Sequence, residues 1–216
     1  MKSKVVLFAA MAAVAGLAAI LTAGTASEGQ DIVPNEALQG WTRIPIPPAA
    51  GLQPKLQWHV DAAGRSLICA GDGGHEWLRF DREVGDFEFQ LDWRFTPLGE
   101  GERRYNSGIG VRLSRAGEIW HQAQTGLAGG YLFGETLTDG LFRRFNLSKE
   151  MKENRVKPAG EWNHYEVRAQ GDRITLAVNG AIVNELAGVG LRRGYVGLEA
   201  EGYEITFRNL RLKTLD

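Results

Sequence analysis

The segment Phe87-Glu88-Phe89-Gln90-Leu91-Asp92-Trp93-Arg94-Phe95 limits the fold more than any other stretch, because five large apolar side chains alternate with four polar ones. Successive side chains of an extended strand point to opposite faces, whereas a helix would scatter this pattern around its circumference. The segment is therefore a strand with one apolar and one polar face. The pattern recurs downstream. Ile109, Val111 and Leu113 oppose Gly110 and Arg112, and Trp120, Gln122 and Gln124 oppose His121 and Ala123. Tyr165, Val167 and Ala169 alternate with His164, Glu166 and Arg168 before a Gly171-Asp172 turn. Ile174, Leu176 and Val178 then lead into Asn179-Gly180, a type I′ hairpin signal because both residues tolerate positive φ. Tyr195 to Glu201 and Glu204 to Leu212 supply two further strands. A helix of one or two turns is predicted only over Ser148 to Asn154, with Ser148 as its N-cap. Many short strands without a solenoid or propeller repeat predict an all-β chain, folded as a two-sheet antiparallel β-sandwich.

The first residues read as an address. Lys2 and Lys4 precede an apolar or small run from Val5 to Leu21, and Gly24 and Ala26 sit at the −3 and −1 positions of a cleavage site after Ala26. An uncleaved anchor is the alternative, since the run approaches the ~20 residues that cross a bilayer. Its many alanines and the small-residue exit favour a signal peptide over residues 1–26, and no stable membrane insertion after its removal. Residues 27–40 then form a lead-in, and residues 41–216 one domain. The expected destination is the periplasm or the cell exterior. Cys69, in Leu67-Ile68-Cys69-Ala70, is the only cysteine, so there is no disulfide framework or Cys-rich zinc site; its setting predicts a buried, inert thiol. With 25 basic and 26 acidic residues the formal charge is −1, which gives no general attraction to nucleic acid.

Two regions draw attention for chemistry. The polar set Glu88, Gln90, Asp92 and Arg94 resembles an ordinary solvated face. It gains meaning if its strand shares a sheet with those carrying Arg112, Gln122, Gln124, Glu199 and Glu201. One face would then collect carboxylates, guanidiniums and amides, a mixture suited to sugar hydroxyls and acid–base work. Asn106, in Tyr105-Asn106-Ser107-Gly108, either forms a plain turn or presents its amide at the rim of that face. The second region, Thr125 to Gly160, is read as a long irregular segment, too apolar at Tyr131, Leu132, Phe133, Leu141, Phe142 and Phe145 for a linker. His121 is expected in the core, and His59, His75 and His164 show no metal-ligand spacing. A divalent metal held by carboxylates and carbonyls stays open, so the cofactor is unknown.

Several segments together resemble a known family: "GDFEFQLDWRF", "NSGIGVRLS", "HQAQTGLAGGYLFG", "KPAGEWNHYEVRAQGDRITLAVNG" and "GYVGLEAEGYEITFRNLRLK". They are similar, in order and from about Trp41 to Asp216, nearly the whole mature chain, to the 3-keto-disaccharide hydrolase domain family. The resemblance implies a concanavalin A-like jelly roll with a sugar-binding sheet face, acting on sugars oxidised at C3. A 3-keto group acidifies the C2 hydrogen and places the glycosidic oxygen β to the enolate that forms. Removing that proton allows elimination, and water addition completes a net hydrolysis. Asp92 and Arg94 match the family's acid-then-Arg strand, Asn106-Ser107-Gly108 its Asn-Ser-Gly, and Arg112 and Gln124 its following Arg and Gln. The chain departs from the family at two positions. Gln122 stands where many members have Glu, and Glu201 where many have His.

The expected residues follow. Asp92, Glu199 and Glu201 are candidates for catalytic base or metal ligand. Arg94, Asn106, Arg112, Gln122, Gln124 and Tyr131 are candidates for holding substrate, and the expected partner is a carbohydrate oxidised at C3. A non-catalytic lectin-like module and an envelope interaction protein remain the alternatives.

Overall fold

A computed structural model describes residues 29–99, 104–126 and 129–215, so the predicted signal peptide and its cleavage site lie outside the described residues. The strands are β1 (Gln30–Asp31), β2 (Trp41–Pro45), β3 (Trp58–Asp61), β4 (Ser66–Cys69), β5 (Glu76–Phe80), β6 (Phe87–Phe95), β7 (Gly108–Leu113) and β8 (Trp120–Gln124). They continue as β9 (Leu132–Thr138), β10 (Leu141–Asn146), β11 (Asn163–Gln170), β12 (Arg173–Val178), β13 (Ala181–Leu186), β14 (Tyr195–Ala200) and β15 (Ile205–Thr214). A 3-10 turn spans Pro48–Ala50. Among the described residues no helix is long and apolar enough to cross a membrane.

Two antiparallel sheets face each other. One runs β13-β12-β11-β6-β15-β4-β3 with β1 paired to β15, and the other runs β10-β9-β8-β7-β14-β5-β2. Between them lies one large core. Phe87, Phe89, Leu91, Trp93 and Phe95 of β6 are all buried in it, as the alternation predicts. Full burial of such side chains contributes about 1.5–3 kcal/mol each, which fixes the strand's register and its face. Ile32 joins the same core. Cys69 is also buried there, and burial pushes its thiol pKa up to about 12.

The Asn179-Gly180 hairpin forms as expected, with φ of 47° and 86°. Two expectations are corrected. Ser148 to Asn154 is not helical. Its backbone bonds elsewhere: Asn146 accepts from the Ser148 N–H, Asn184 donates to the Leu147 carbonyl, and the Lys152 N–H donates to Val183. The stretch Thr125 to Gly160 is not irregular throughout, because it contains the β9–β10 hairpin that ends the seven-stranded sheet. Its turn is Asp139-Gly140, with φ of 51° and 74°, the same device as Asn179-Gly180.

Candidate functional site

The polar faces of the strands do not share one sheet. β6 lies in the eight-stranded sheet, while β7, β8 and β14 lie in the other. The face that gathers polar groups is the outer face of the seven-stranded sheet. On β14, Val196, Leu198 and Ala200 enter the core, so Glu199 points outward, and Glu201 follows at the strand's end. On β8, His121 and Ala123 are buried inward, which turns Gln122 and Gln124 out beside Glu199. Burial brings the His121 pKa down to about 4, so it is a neutral core residue.

A cleft of about 520 Å³ opens on this face. Its polar floor is His75, Asn106, Gln122, Glu199 and Glu201, and Ile46, Trp77, Trp120 and Phe133 supply apolar walls. Glu199 is at the centre. Its Oε1 accepts from His75 Nε2 at 2.8 Å, and its Oε2 accepts from Gln122 Nε2 at 2.6 Å. Asn106 Nδ2 donates to Glu201 Oε2 at 2.6 Å, and Asn106 Oδ1 accepts in turn from Gln124. Gln122 also donates to Gln124 Oε1, so the two amides and Asn106 form one relay between the carboxylates. Gly108 makes room for it, since a Cβ there would fall 2.1 Å from Gln122 Nε2.

The electrostatics follow from burial. The Glu199 side chain is 4% exposed against 37% for Glu201. Burial raises the Glu199 pKa, with the His75 hydrogen bond opposing and the charge of Glu201 adding to it. At His75 burial works against the imidazolium, yet the Glu199 hydrogen bond and the charges of Glu199 and Glu201 outweigh it, so its pKa is raised.

His75, Glu199 and Glu201 each offer one ligand atom, all within 4.8 Å of one another. One imidazole and two carboxylates at that spacing fit a divalent cation about 2.0–2.2 Å from each donor. Such an ion would also relieve the crowding of two carboxylates, one of them buried.

The structure brings together Asn106, Gln122, Gln124, Glu199 and Glu201 from the sequence-predicted set. Tyr131 lies beside the cleft, with its ring 5.8 Å from that of Phe133. Asp92, Arg94 and Arg112 lie elsewhere. Asp92 sits on the outer face of the other sheet, bonded by His164, Arg208 and Asn209. Arg94 and Arg208 stand 4.5 and 3.8 Å from the Trp162 ring centroid, on that same side. Arg112 has φ of 46° at an irregularity in the β7–β14 pairing. That bulge turns its side chain in, fully buried, to donate to Gly171 O and Asp86 Oδ1. It also puts Leu113 on the outer face, packed with Ile44 and Trp77. His75 was the residue missed. It directly precedes β5, where His75, Trp77 and Arg79 alternate with Glu76, Leu78 and Phe80, and a charged residue in the inward set with an indole in the outward one blurs the signal.

A jelly-roll sandwich with an acidic, aromatic-walled cleft on one outer sheet face defines a concanavalin-like class of protein. Within it, the chain belongs to the 3-keto-alpha-glucoside-1,2-lyase-like domain family, whose model matches residues 33–213. No curated protein sequence matches it. Among solved structures, the carbohydrate-binding module CBM66 of Bacillus subtilis superposes with a TM-score of 0.58 at 15% identity, covering 81% of this chain and 96% of that one. A putative glycosyl hydrolase from Parabacteroides distasonis gives 0.55 at 14% identity, covering 74% and 84%. A β-glucanase of Bacillus licheniformis gives 0.50 at 11% identity, covering 82% and 94%. At these identities the likeness is one of fold.

Proposed function

We propose that the protein is an exported enzyme that cleaves 3-keto glycosides by C2 proton abstraction, elimination of the C1 substituent and addition of water. Membership of the family and a fold shared with a carbohydrate-binding module and a glucanase support a glycan as partner. The observation that carries the reading is the His75–Glu199–Glu201 cluster on the floor of the cleft. One oxygen of each carboxylate lies within 4.8 Å of the other and of an imidazole nitrogen. Gathered carboxylates of this kind suit removal of one proton.

Glu201, the more exposed carboxylate, takes the C2 proton. Glu199 is held by His75 and Gln122 and keeps the imidazole oriented. As the enolate forms at C3, the C1–O bond breaks and the leaving oxygen takes a proton from His75, whose pKa the Glu199 hydrogen bond and the nearby carboxylate charges raise. Water then adds across C1 and C2, restoring the 3-keto sugar. If a divalent cation is resident, His75, Glu199 and Glu201 would hold it instead of serving as proton donor and base, and it would supply positive charge against the enolate oxygen.

The test is to incubate the protein with 3-keto disaccharides and their unoxidised parents, with and without a chelator, and follow release of the free sugar. Cleavage of the keto substrates alone is expected. Glu201→Gln should slow it by about 10²–10⁴-fold, the usual contribution of a positioned base. Sugar binding without turnover of any keto substrate would instead make this face a lectin-like site.

A further inference from the structure

The cleft extends well beyond its cluster of titratable groups, and sheet register sets out its other half. Trp120 on β8 stands directly opposite Glu135 on β9, and Glu135 stands opposite Arg144 on β10. In the next row Gln122 stands opposite Phe133. Trp120 and Phe133 are therefore diagonal neighbours, and their rings meet edge to face, with centroids 5.0 Å apart at 86°. Glu135 and Arg144 approach to 3.6 Å, with the Arg144 side chain 71% exposed. All four line the same cleft as Glu199.

Neighbouring strands lie about 4.8 Å apart, so β14 to β8 and β8 to β10 each span roughly 10 Å, ample for a sugar ring. The catalytic cluster lies at β14 and just before β5, at the far edge of the first span. The second offers two partly exposed aromatic rings with a charged rim, the makeup of a site that grips an apolar ring face and orients it by a few polar groups.

Resting on the 3-keto glycoside reading, we infer that Trp120 and Phe133 form a leaving-group subsite. It receives the ring attached at C1, either a second pyranose through its C–H face or an aryl group. Glu135 and Arg144 would bond that ring's hydroxyls. The enzyme would then favour glycosides with a cyclic aglycone over simple alkyl glycosides.

The test uses unoxidised probes, which lack the acidic C2 hydrogen and so are bound without being cleaved. Methyl α-glucoside, trehalose and phenyl α-glucoside are titrated calorimetrically into the wild-type protein and into Trp120→Ala, Trp120→Phe and Phe133→Ala. Wild type is expected to bind at least one of the two larger probes about tenfold more tightly than the methyl glycoside, a difference of ~1.4 kcal/mol. Each alanine variant should lose that advantage and keep its affinity for the methyl glycoside, while Trp120→Phe retains most of it. Phe133→Ala keeps the test open should Trp120→Ala fold poorly. If Glu135→Gln and Arg144→Ala weaken trehalose alone, the ring is a sugar; if the phenyl probe alone depends on the aromatic pair, it is an aryl group. Equal affinity of wild type for all three probes, no measurable binding of any, or uniform loss in the variants would overturn the subsite. The selective loss persisting in a protein that cleaves no keto glycoside would keep the subsite and sink the elimination reading.

Discussion

His75 Nε2 lies 2.8 Å from Glu199 Oε1, although 124 positions separate the two residues. The pair joins the residue just before β5 to the outward face of β14, the neighbour of β5 in the sheet. Because both pKa values are raised, the pair holds protons that the same groups would have lost in the unfolded chain.

That excess fixes the sign of a pH effect. A buried carboxyl with a raised pKa favours the folded state while protonated and costs stability once it ionises. A histidine with a raised pKa adds stability below its ordinary 6.5 and loses it as pH climbs through the folded value. Both act in one direction, so this site's contribution falls as pH rises from the ordinary glutamate value of 4.5 to beyond 6.5. Glu199→Gln should flatten that decline in thermal melts. It should also lower the His75 pKa seen by NMR titration, since burial would no longer be opposed by its partner. A His75 titration unchanged in the variant would show that the pair does not couple.

Asp92 predicts the opposite behaviour at low pH. Burial works against its charge, but hydrogen bonds from His164, Asn209 and Arg208 outweigh that and lower its pKa. It therefore stabilises the fold above its ordinary 3.8 and loses this as pH falls through the lowered folded value. His164 is raised by the Asp92 hydrogen bond and contributes below 6.5, fading as pH rises through its own folded value. The cluster is thus strongest between about 3.8 and 6.5. It ties β6 to β11 and to the irregularity of β15 at Asn209, whose φ is 55°. Asp92→Ala should cost about 1.5–3 kcal/mol by removing bonds to a charged group, with turnover per folded molecule unchanged. Loss of turnover without loss of stability would return Asp92 to the catalytic set.

Arg112 separates structure from substrate binding in the same way. Its side chain is fully buried, and its guanidinium bridges Asp86 and the Gly171 carbonyl. Arg112→Ala leaves a cavity and an unpaired Asp86, so a loss of roughly 3 kcal/mol or more is expected. Denaturant melts measure this directly, and KM for any accepted glycoside should stay the same.

The sandwich was legible because period-two alternation carries its own face assignment, and β6 matches its predicted bounds residue for residue. What alternation lacks is the identity of the sheet. Asp92 and Glu199 are equally outward, and only pairing across long sequence distances assigns them to different sheets. Arg112 escaped because one bulge reverses the faces beyond it, and a single residue with positive φ leaves no mark on hydrophobic periodicity. The β9–β10 hairpin carried a readable Asp139-Gly140 turn, yet its outer strand is almost wholly exposed and so lacks an apolar face to signal it. Ser148 failed as a helix cap because side chains and strands nearby supply partners to that backbone.

Gly108 offers the sharpest check on the relay that holds the carboxylates. The residue is buried in β7, where its missing side chain leaves space for the Gln122 amide to reach Glu199. In Gly108→Ala the new Cβ would lie 2.1 Å from Gln122 Nε2 and 2.3 Å from its amide carbon. Those contacts are too short to persist, and the neighbour is the end of a side chain rather than backbone, so Gln122 moves and the strand stays. Glu199 then loses one of its two hydrogen bonds while remaining buried, and its raised pKa should climb further. The expected outcome is a fall of about tenfold or more in kcat and a loss of stability within ~1–3 kcal/mol. Gln122→Ala in the same background should recover stability, because it removes the clash, without recovering rate, because the bond to Glu199 is still missing. Full activity in Gly108→Ala would mean that the amide is a bystander, and that the proton chemistry rests on His75 and the two carboxylates alone.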